Sequence, residues 1–184
     1  FRVVDPAKTR AVYQSEWFGE FSLSDVISLT SHFTVSQFLH REDFSQRFAS
    51  QRPIAITELL YPLLQAYDSV AIEADVEFGG TDQLFNLLVG RDLQEKVGQR
   101  PQVVFTMPIL PGTDGVRRMG KSLGNYIAIE DRPDDMFGKI MSLPDGVIPL
   151  YFELLTDMPE SELEDLRDSV ERHTTNPMEF KKRL

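Results

Sequence analysis

One stretch of the sequence indicates the fold more clearly than any other: Tyr61-Pro-Leu-Leu-Gln-Ala-Tyr-Asp68-Ser-Val-Ala-Ile-Glu-Ala-Asp-Val-Glu-Phe-Gly-Gly80-Thr-Asp-Gln83. Residues 56–68 have the apolar spacing of a buried helix, and residues 70–78 alternate apolar with polar side chains as a strand does. Two glycines end this strand, and Thr81 is a candidate N-cap for a helix that closes at Gly98. The stretch therefore predicts a helix, a strand and a second helix in succession.

The segments on either side extend this pattern. A second short strand is predicted at 103–106, between two prolines, and a loop rich in glycine, proline and cations at 108–126. Helices are predicted over 134–142 and 147–155, and a third begins with a capping box at Ser161 and Glu164. Residues 20–50 are predicted to be mostly helical. Strand–helix–strand alternation predicts an α/β fold with a parallel sheet, followed by a helical module that starts near Leu143.

Composition excludes several classes of protein. The 184 residues contain no cysteine, which excludes disulfides and thiolate metal sites. The three histidines do not have the spacing of metal ligands. A formal net charge of −10 makes the chain a poor general binder of polyanions. We find no signal peptide and no apolar run long enough to cross a membrane, so a cytoplasmic location is expected. The chain opens on Phe1 and stops at Leu184 without a turn signal, so we expect a piece of a longer protein.

The same stretch holds the most specific candidate site. Tyr61, Gln65 and Asp68 are spaced by four and three residues, which places them on one face of a helix. Asp82 and Gln83 follow a glycine turn at the start of the next helix. A phenol, two amides and two carboxylates beside such a turn suit a small zwitterion next to a nucleotide. Each feature also has a plainer explanation: a solvent-facing carboxylate, a core tyrosine and an ordinary strand-to-helix turn.

The loop at 115–122 matches the phosphate-binding pattern G-x-x-x-x-G-K-S, but its context differs from a P-loop. A P-loop follows a buried strand and opens a helix at its Lys-Ser, whereas prolines precede this loop and Gly124 follows it at once. Arg117, Arg118 and Lys121 could still hold a polyphosphate through their side chains, on a loop that closes over a nucleotide. The alternative is a solvated basic turn.

A resemblance to a known family rests on these two regions. Arg118-Met-Gly-Lys121-Ser122-Leu-Gly-Asn resembles the KMSKS loop of class I aminoacyl-tRNA synthetases, with arginine for the first lysine and glycine for the first serine. Residues 61–68 and 79–83, together with Asn86, resemble the bacterial tyrosyl branch of that family. The HIGH signature of the family is absent, because no histidine is followed by glycine within two positions.

The resemblance implies a domain organisation. Residues 1–142 are expected to be the second half of a Rossmann-like catalytic domain, with a helical dimerisation insertion at about 20–58 and a KMSKS-like loop at 115–125. Residues 143–184 are expected to start the helical anticodon-side domain. The insertion is rich in phenylalanine, which suits either a dimer interface or an ordinary core.

The resemblance also implies roles for single residues. Tyr61 and Gln65 are expected to hold the ammonium group of tyrosine, Asp68 its phenol, and Gln83 its carboxylate with the α-phosphate of ATP. Asp82 and the close-approach glycine Gly80 are expected at the ATP ribose, Ile109 and Leu110 at the adenine, and Met119 with Lys121 at the same nucleotide. The expected catalytic residues are Lys121, Arg118 and Ser122.

The implied activity is that of a tyrosine–tRNA ligase. L-tyrosine attacks ATP to give tyrosyl-adenylate, and tRNA(Tyr) then takes the tyrosyl group. Mg²⁺ is expected with ATP, without a recognisable protein ligand, and a second copy of the chain is the expected protein partner. Three alternatives stay open: a tryptophanyl-tRNA synthetase, a P-loop nucleotide hydrolase, and a non-catalytic RNA-binding paralogue. The residues Gln65, Thr81 and Asn86 favour the tyrosyl over the tryptophanyl pattern.

Overall fold

The computed structural model of the chain describes residues 3–184, which separate into two compact units. The first unit ends at Met107, and the second runs from Pro108 to Leu184. The predicted domain boundary at 142/143 therefore lies inside the second unit, and the assignment of 1–142 and 143–184 to two functional domains stays a prediction.

The first unit contains a helical segment and a small sheet. A 3-10 turn at Pro6–Lys8 precedes helices α1 to α4, and α5 then leads into a βαβ unit. The elements are α1 (Ser15–Phe18), α2 (Leu23–Ser31), α3 (Val35–Leu39), α4 (Glu42–Ala49), α5 (Ile56–Ala71), β1 (Val76–Gly80), α6 (Leu84–Lys96) and β2 (Val103–Met107). Strands β1 and β2 pair in parallel, with Val76 opposite Val103 and Gly80 opposite Met107. The prediction of an α/β fold with a parallel sheet is confirmed.

Helix α5 carries the predicted site residues and is fixed at both ends. At its start, the Glu58 carboxylate accepts a hydrogen bond from the Ala55 backbone N–H (2.9 Å) and a bidentate pair from Arg47 of α4. The Arg47 guanidinium, followed by the Ala55 bond, lowers the pKa of Glu58 to about 2. At its other end, the buried amide of Gln94 on α6 donates to the Ser69 and Ala74 carbonyls. Helix α5 is therefore held to both α4 and α6.

Two predicted boundaries in this unit are wrong. The predicted strand at 70–78 begins only at Val76, because α5 continues to Ala71 and its last turn is closed by the Ile72 N–H on the Asp68 carbonyl. Helix α6 begins at Leu84 rather than after Thr81, because Thr81–Gln83 form a 3-10 turn first. The predicted closure of α6 is confirmed: Gly98 takes a positive φ of 81° directly after the C-cap residue Val97.

The sheet has one apolar face that remains accessible. Phe78 and Phe105 contact each other across the two strands at 5.3 Å between ring centroids, yet they are 70% and 49% exposed. Parallel sheets are normally covered on both faces. The opposite face packs on α6, where Gly79 lies so close to Leu87 that an added Cβ would come within 2.9 Å of its Cδ1.

The second unit starts with the predicted loop and continues as helices. A 3-10 turn at Lys121–Leu123 lies in the loop, followed by α7 (Pro133–Met141), a 3-10 turn at Asp145–Val147, α8 (Ile148–Leu155), α9 (Glu160–Glu171) and α10 (Pro177–Lys181). Its core is Ile148, Phe152, Leu163, Leu166 and Val170. The predicted helices are confirmed, but Pro159 rather than Ser161 is the N-cap residue of α9. Within residues 3–184, no helix combines the length and apolar character needed to span a membrane.

Candidate active site

Asp68 lies on the last turns of α5 and is held by two donors from the N-terminal helical segment. The Gln14 Nε2 donates to Asp68 Oδ2 at 2.6 Å, and the Trp17 indole Nε1 donates to Oδ1 at 3.0 Å. Burial raises the pKa of Asp68 and the negative Glu77 raises it further, while the bonds from Gln14 and Trp17 oppose the rise. Asp68 is therefore a half-buried carboxylate in a fixed orientation, and the explanation of it as a solvent-facing helix end is wrong.

Gln65 and Gln83 are brought together by a third amide. The Asn86 Nδ2 on the first turn of α6 donates to Gln65 Oε1 at 3.0 Å and to Gln83 Oε1 at 3.2 Å. Gln65 is one turn before Asp68 on α5, and Gln83 closes the 3-10 turn that precedes α6. Two of the predicted amino-acid-binding side chains thus share one hydrogen-bonded cluster.

The backbone conformation of the glycine turn does not by itself require glycine at position 80. Gly80 has φ −72° and ψ 160°, an extended conformation that any residue adopts, so its backbone does not require glycine. Gly79, the preceding residue, makes a tight contact with Leu87. A role for Gly80 in close approach to a ribose stays a prediction.

Asp82 and Tyr61 lie beside surface cavities rather than in the amide cluster. Asp82 borders a cavity of about 660 Å³ together with His40 and Arg41 of the α3–α4 segment. Tyr61 is 62% exposed and borders a cavity of about 330 Å³ that Arg41 and Glu58 also line. The core explanation of Tyr61 is therefore wrong, and its predicted contact with an ammonium group remains a prediction.

The loop of the second unit is held in one conformation by Asp114 and Asn125. The Asp114 carboxylate accepts from the backbone N–H groups of Val116 (2.9 Å) and Arg117 (2.8 Å) and from Asn125 Nδ2 (2.8 Å). These bonds, led by that from Val116, lower the pKa of Asp114 to about 2. The Asn125 side chain is buried, and its Oδ1 accepts from the Gly120 N–H at 3.0 Å. The loop is therefore ordered by its own hydrogen bonds.

The predicted catalytic residues lie on the outer part of this loop. The Met119 N–H donates to the Leu110 carbonyl at 3.0 Å, and Pro111 forms an antiparallel bridge with Arg118. Lys121 and Met119 border a cavity of about 620 Å³ with the 126–130 segment. The predicted nucleotide residues of this unit occupy either side of the bridge: Ile109 and Leu110 before it, and Arg118, Met119, Lys121 and Ser122 at or after it.

The backbone of this loop is not that of a P-loop. Lys121–Leu123 form a single 3-10 turn that ends at Gly124 with a positive φ of 65°. A P-loop needs an α-helix at its Lys-Ser so that successive helix amides can cradle phosphate. This loop therefore lacks the helix amides of a P-loop, and a phosphate contact would have to come from side chains such as those of Lys121 and Arg118.

The described residues contain no group of side chains that could bind a metal ion. Within residues 3–184, no three His, Cys, Asp or Glu side chains are grouped closely enough to bind a metal.

Three comparisons place the chain among known proteins. The family model described as tRNA synthetases class I (W and Y) matches residues 1–184. A tyrosine–tRNA ligase of Dehalococcoides mccartyi (strain CBDB1) is 59% identical over all 184 residues, which are 46% of its own length. One from Thermotoga maritima is 54% identical over 181 residues, covering 98% of this chain and 45% of the relative. The chain thus spans about half the length of the curated relatives it matches.

Solved structures show the same fold at low identity. The tyrosyl-tRNA synthetase of Aeropyrum pernix superposes with a TM-score of 0.67 at 20% identity, over 91% of this chain and 56% of that one. The enzyme from Archaeoglobus fulgidus, complexed with L-tyrosine, gives a TM-score of 0.67 at 24% identity, over 95% and 61% respectively. The Rossmann-like fold class is therefore confirmed. On the match to its full length, the chain belongs to the class I tRNA synthetases of the W and Y family.

Proposed function

We propose that the complete protein, meaning the product of the whole reading frame that encodes this chain, is a tyrosine–tRNA ligase. The observation that carries the proposal is the Asp68 carboxylate, which is half-buried and held by Gln14 and Trp17. An ionised carboxylate has about four acceptor positions. Two are used by these donors, and the others can accept the phenol O–H of tyrosine.

The proposed discrimination against phenylalanine follows from the same group. Phenylalanine has no O–H to donate, so it would bury Asp68 without satisfying its free acceptor positions. Gln65 and Gln83 then hold the ammonium and carboxylate groups of the amino acid. Tyr61 is proposed to complete the ammonium site.

The proposed chemistry has two steps. The carboxylate oxygen of L-tyrosine attacks the α-phosphorus of ATP, and the bond to pyrophosphate breaks, which gives tyrosyl-adenylate. A terminal ribose hydroxyl of tRNA(Tyr) then attacks the tyrosyl carbonyl and releases AMP. Neither step needs a protein nucleophile, because both depend on positioning and on stabilisation of developing charge.

The loop residues supply that charge stabilisation. Lys121, helped by Arg118 and Ser122, neutralises the charge that grows on the leaving pyrophosphate. Asp82 and Gly80 are proposed at the ATP ribose, with Ile109, Leu110 and Met119 at the base. ATP is a substrate here, and Mg²⁺ accompanies it through the phosphates.

We propose further that two copies associate through the helical segment at about 20–58. The support comes from apolar side chains that the first unit leaves uncovered: Leu23 (76% exposed), Ile27 (59%), Phe48 (65%) and Ile56 (76%). By contrast, Phe38 and Phe44 of the same segment are buried in the core, so the core explanation holds for those two. A second copy of the chain could cover such exposed apolar side chains.

The test of the proposed activity is amino-acid-dependent ATP–pyrophosphate exchange by the complete protein. We expect exchange with L-tyrosine, and none above background with L-tryptophan or without amino acid. Exchange with tryptophan alone would favour the tryptophanyl alternative. ATP hydrolysis that ignores tyrosine would favour a nucleotide hydrolase, and tRNA binding without any exchange would favour a non-catalytic paralogue.

A further inference from the structure

Asn86 is a buried polar side chain whose hydrogen bonds end on the two glutamines of the candidate site. It is 6% exposed, and its Nδ2 donates to Gln65 Oε1 and to Gln83 Oε1. A side-chain amide has two N–H donors, so these two bonds use both of them. Asn86 therefore links a side chain on α5 to one on the turn before α6.

Gln94 shows what a purely structural amide on the same helix does. It is fully buried, its Nε2 donates to the carbonyls of Ser69 (3.2 Å) and Ala74 (2.9 Å), and its Oε1 accepts from the Gln102 N–H (2.8 Å). All of these partners are backbone groups, so Gln94 pins elements of the fold together. Asn86 differs because both of its partners are side chains of the candidate site.

Asn86 also carries a cost that the fold does not need. Its Oδ1 is buried and has no hydrogen-bond partner among the residues that the structure describes. A buried acceptor without a partner destabilises the folded state relative to an apolar side chain of similar size. The hydrogen bonds that the polar side chain does make at this position are those to Gln65 and Gln83.

We propose that Asn86 is a positioning residue for amino-acid binding, an inference that rests on the proposed function. By holding both Oε1 atoms it fixes the spacing of the two amides before substrate arrives. Each glutamine keeps a second oxygen lone pair and its Nε2 group. These are the acceptor and donor groups that the ammonium and carboxylate of an amino acid require.

The experiment compares Asn86→Leu with the matched control Gln94→Leu in the complete protein. For each variant, the KM values for L-tyrosine and ATP are measured by pyrophosphate exchange, and Tm by thermal unfolding. Loss of two neutral hydrogen bonds that pre-organise the site should raise the KM for tyrosine about tenfold in Asn86→Leu, clearly more than the KM for ATP, with the Tm nearly unchanged. Gln94→Leu should lower the Tm and leave the KM for tyrosine unchanged.

A second variant covers the case in which leucine does not fit. Asn86→Asp keeps the shape of the side chain but replaces its donor with an acceptor that faces both Oε1 atoms, so it should also raise the KM for tyrosine. Wild-type KM values for tyrosine in both Asn86 variants would overturn the inference alone. A fall in Tm like that of Gln94→Leu, with both KM values raised together, would make Asn86 structural and overturn it too. Absence of tyrosine-dependent exchange in the wild-type protein would instead overturn the proposed function and the inference with it.

Discussion

Replacing Asp68 with asparagine tests how the site distinguishes tyrosine from phenylalanine. The two carboxylate oxygens each accept one hydrogen bond, Oδ1 from Trp17 and Oδ2 from Gln14. In Asp68→Asn, one of these oxygens becomes an NH₂ group, and in either orientation that group faces a donor. The variant therefore loses its charge and one of its two fixing bonds while keeping the shape of the side chain.

The expected loss of preference for tyrosine follows from the hydrogen bond that its phenol no longer makes in Asp68→Asn. A hydrogen bond to a charged group contributes about 1.5–3 kcal/mol, which corresponds to about a 10- to 100-fold change in affinity. Phenylalanine makes no such bond, so its binding should change much less. We expect the preference for tyrosine over phenylalanine, as the ratio of kcat/KM values, to fall by about 10- to 100-fold.

Pyrophosphate exchange with each amino acid measures this ratio in the complete protein. Asp92→Asn, which changes an exposed carboxylate on α6, is the control and should leave the ratio unchanged. An equal loss of activity with both amino acids in Asp68→Asn would refute the reasoning, because it would show that Asp68 only supports the fold.

Three other predictions follow from the loop and the helical segment. Lys121→Ala should slow adenylate formation about 100-fold in single-turnover assays with tyrosine affinity unchanged, and an equal loss of tyrosine binding would contradict its role. Because the pKa of Asp114 is lowered from 3.8 to about 2, its stabilisation of the loop is complete above pH 3.8 and is lost as the pH falls toward 2. The NMR signals of the Asn125 side-chain amide should report that loss, and unchanged signals down to pH 2 would exclude it. Ile27→Asp should raise the dimer dissociation constant about 100-fold in sedimentation experiments, whereas Val116→Asp, at a position 87% exposed in the other unit, should not.

The fold is predictable where the apolar periodicity agrees with the prolines and glycines at the ends of elements. The two prolines around β2 and the glycine at position 98 after α6 predict these element ends from the sequence to within a residue or two. The start of β1 is not predictable in this way, because the sequence of residues 70–74 fits both an alternating strand and the end of an apolar helix. Tertiary contacts decide between the two: Gln94 holds the last turn of α5 through the Ser69 and Ala74 carbonyls.

The site was predictable only as a set of side-chain types on a helix face. Gln65 and Asp68 lie on α5 one turn apart, as their spacing indicates, but Tyr61 borders a surface cavity with Arg41 and Glu58. The donors to Asp68 were missed, because Gln14 and Trp17 are 54 and 51 residues away in the sequence and carry no motif. The sequence distinguishes Asn86 only through the family resemblance, because its bonds to both glutamines depend on how α6 packs against α5.

A crystal structure of the complete protein with L-tyrosine bound would test the central claim most directly. We expect the phenol oxygen about 2.5–3.0 Å from an Asp68 carboxylate oxygen, with Gln14 and Trp17 still donating to that carboxylate. The amino and carboxylate groups should contact Gln65 and Gln83 while Asn86 holds both. A phenol placed away from Asp68, or a tyrosine bound elsewhere, would contradict it.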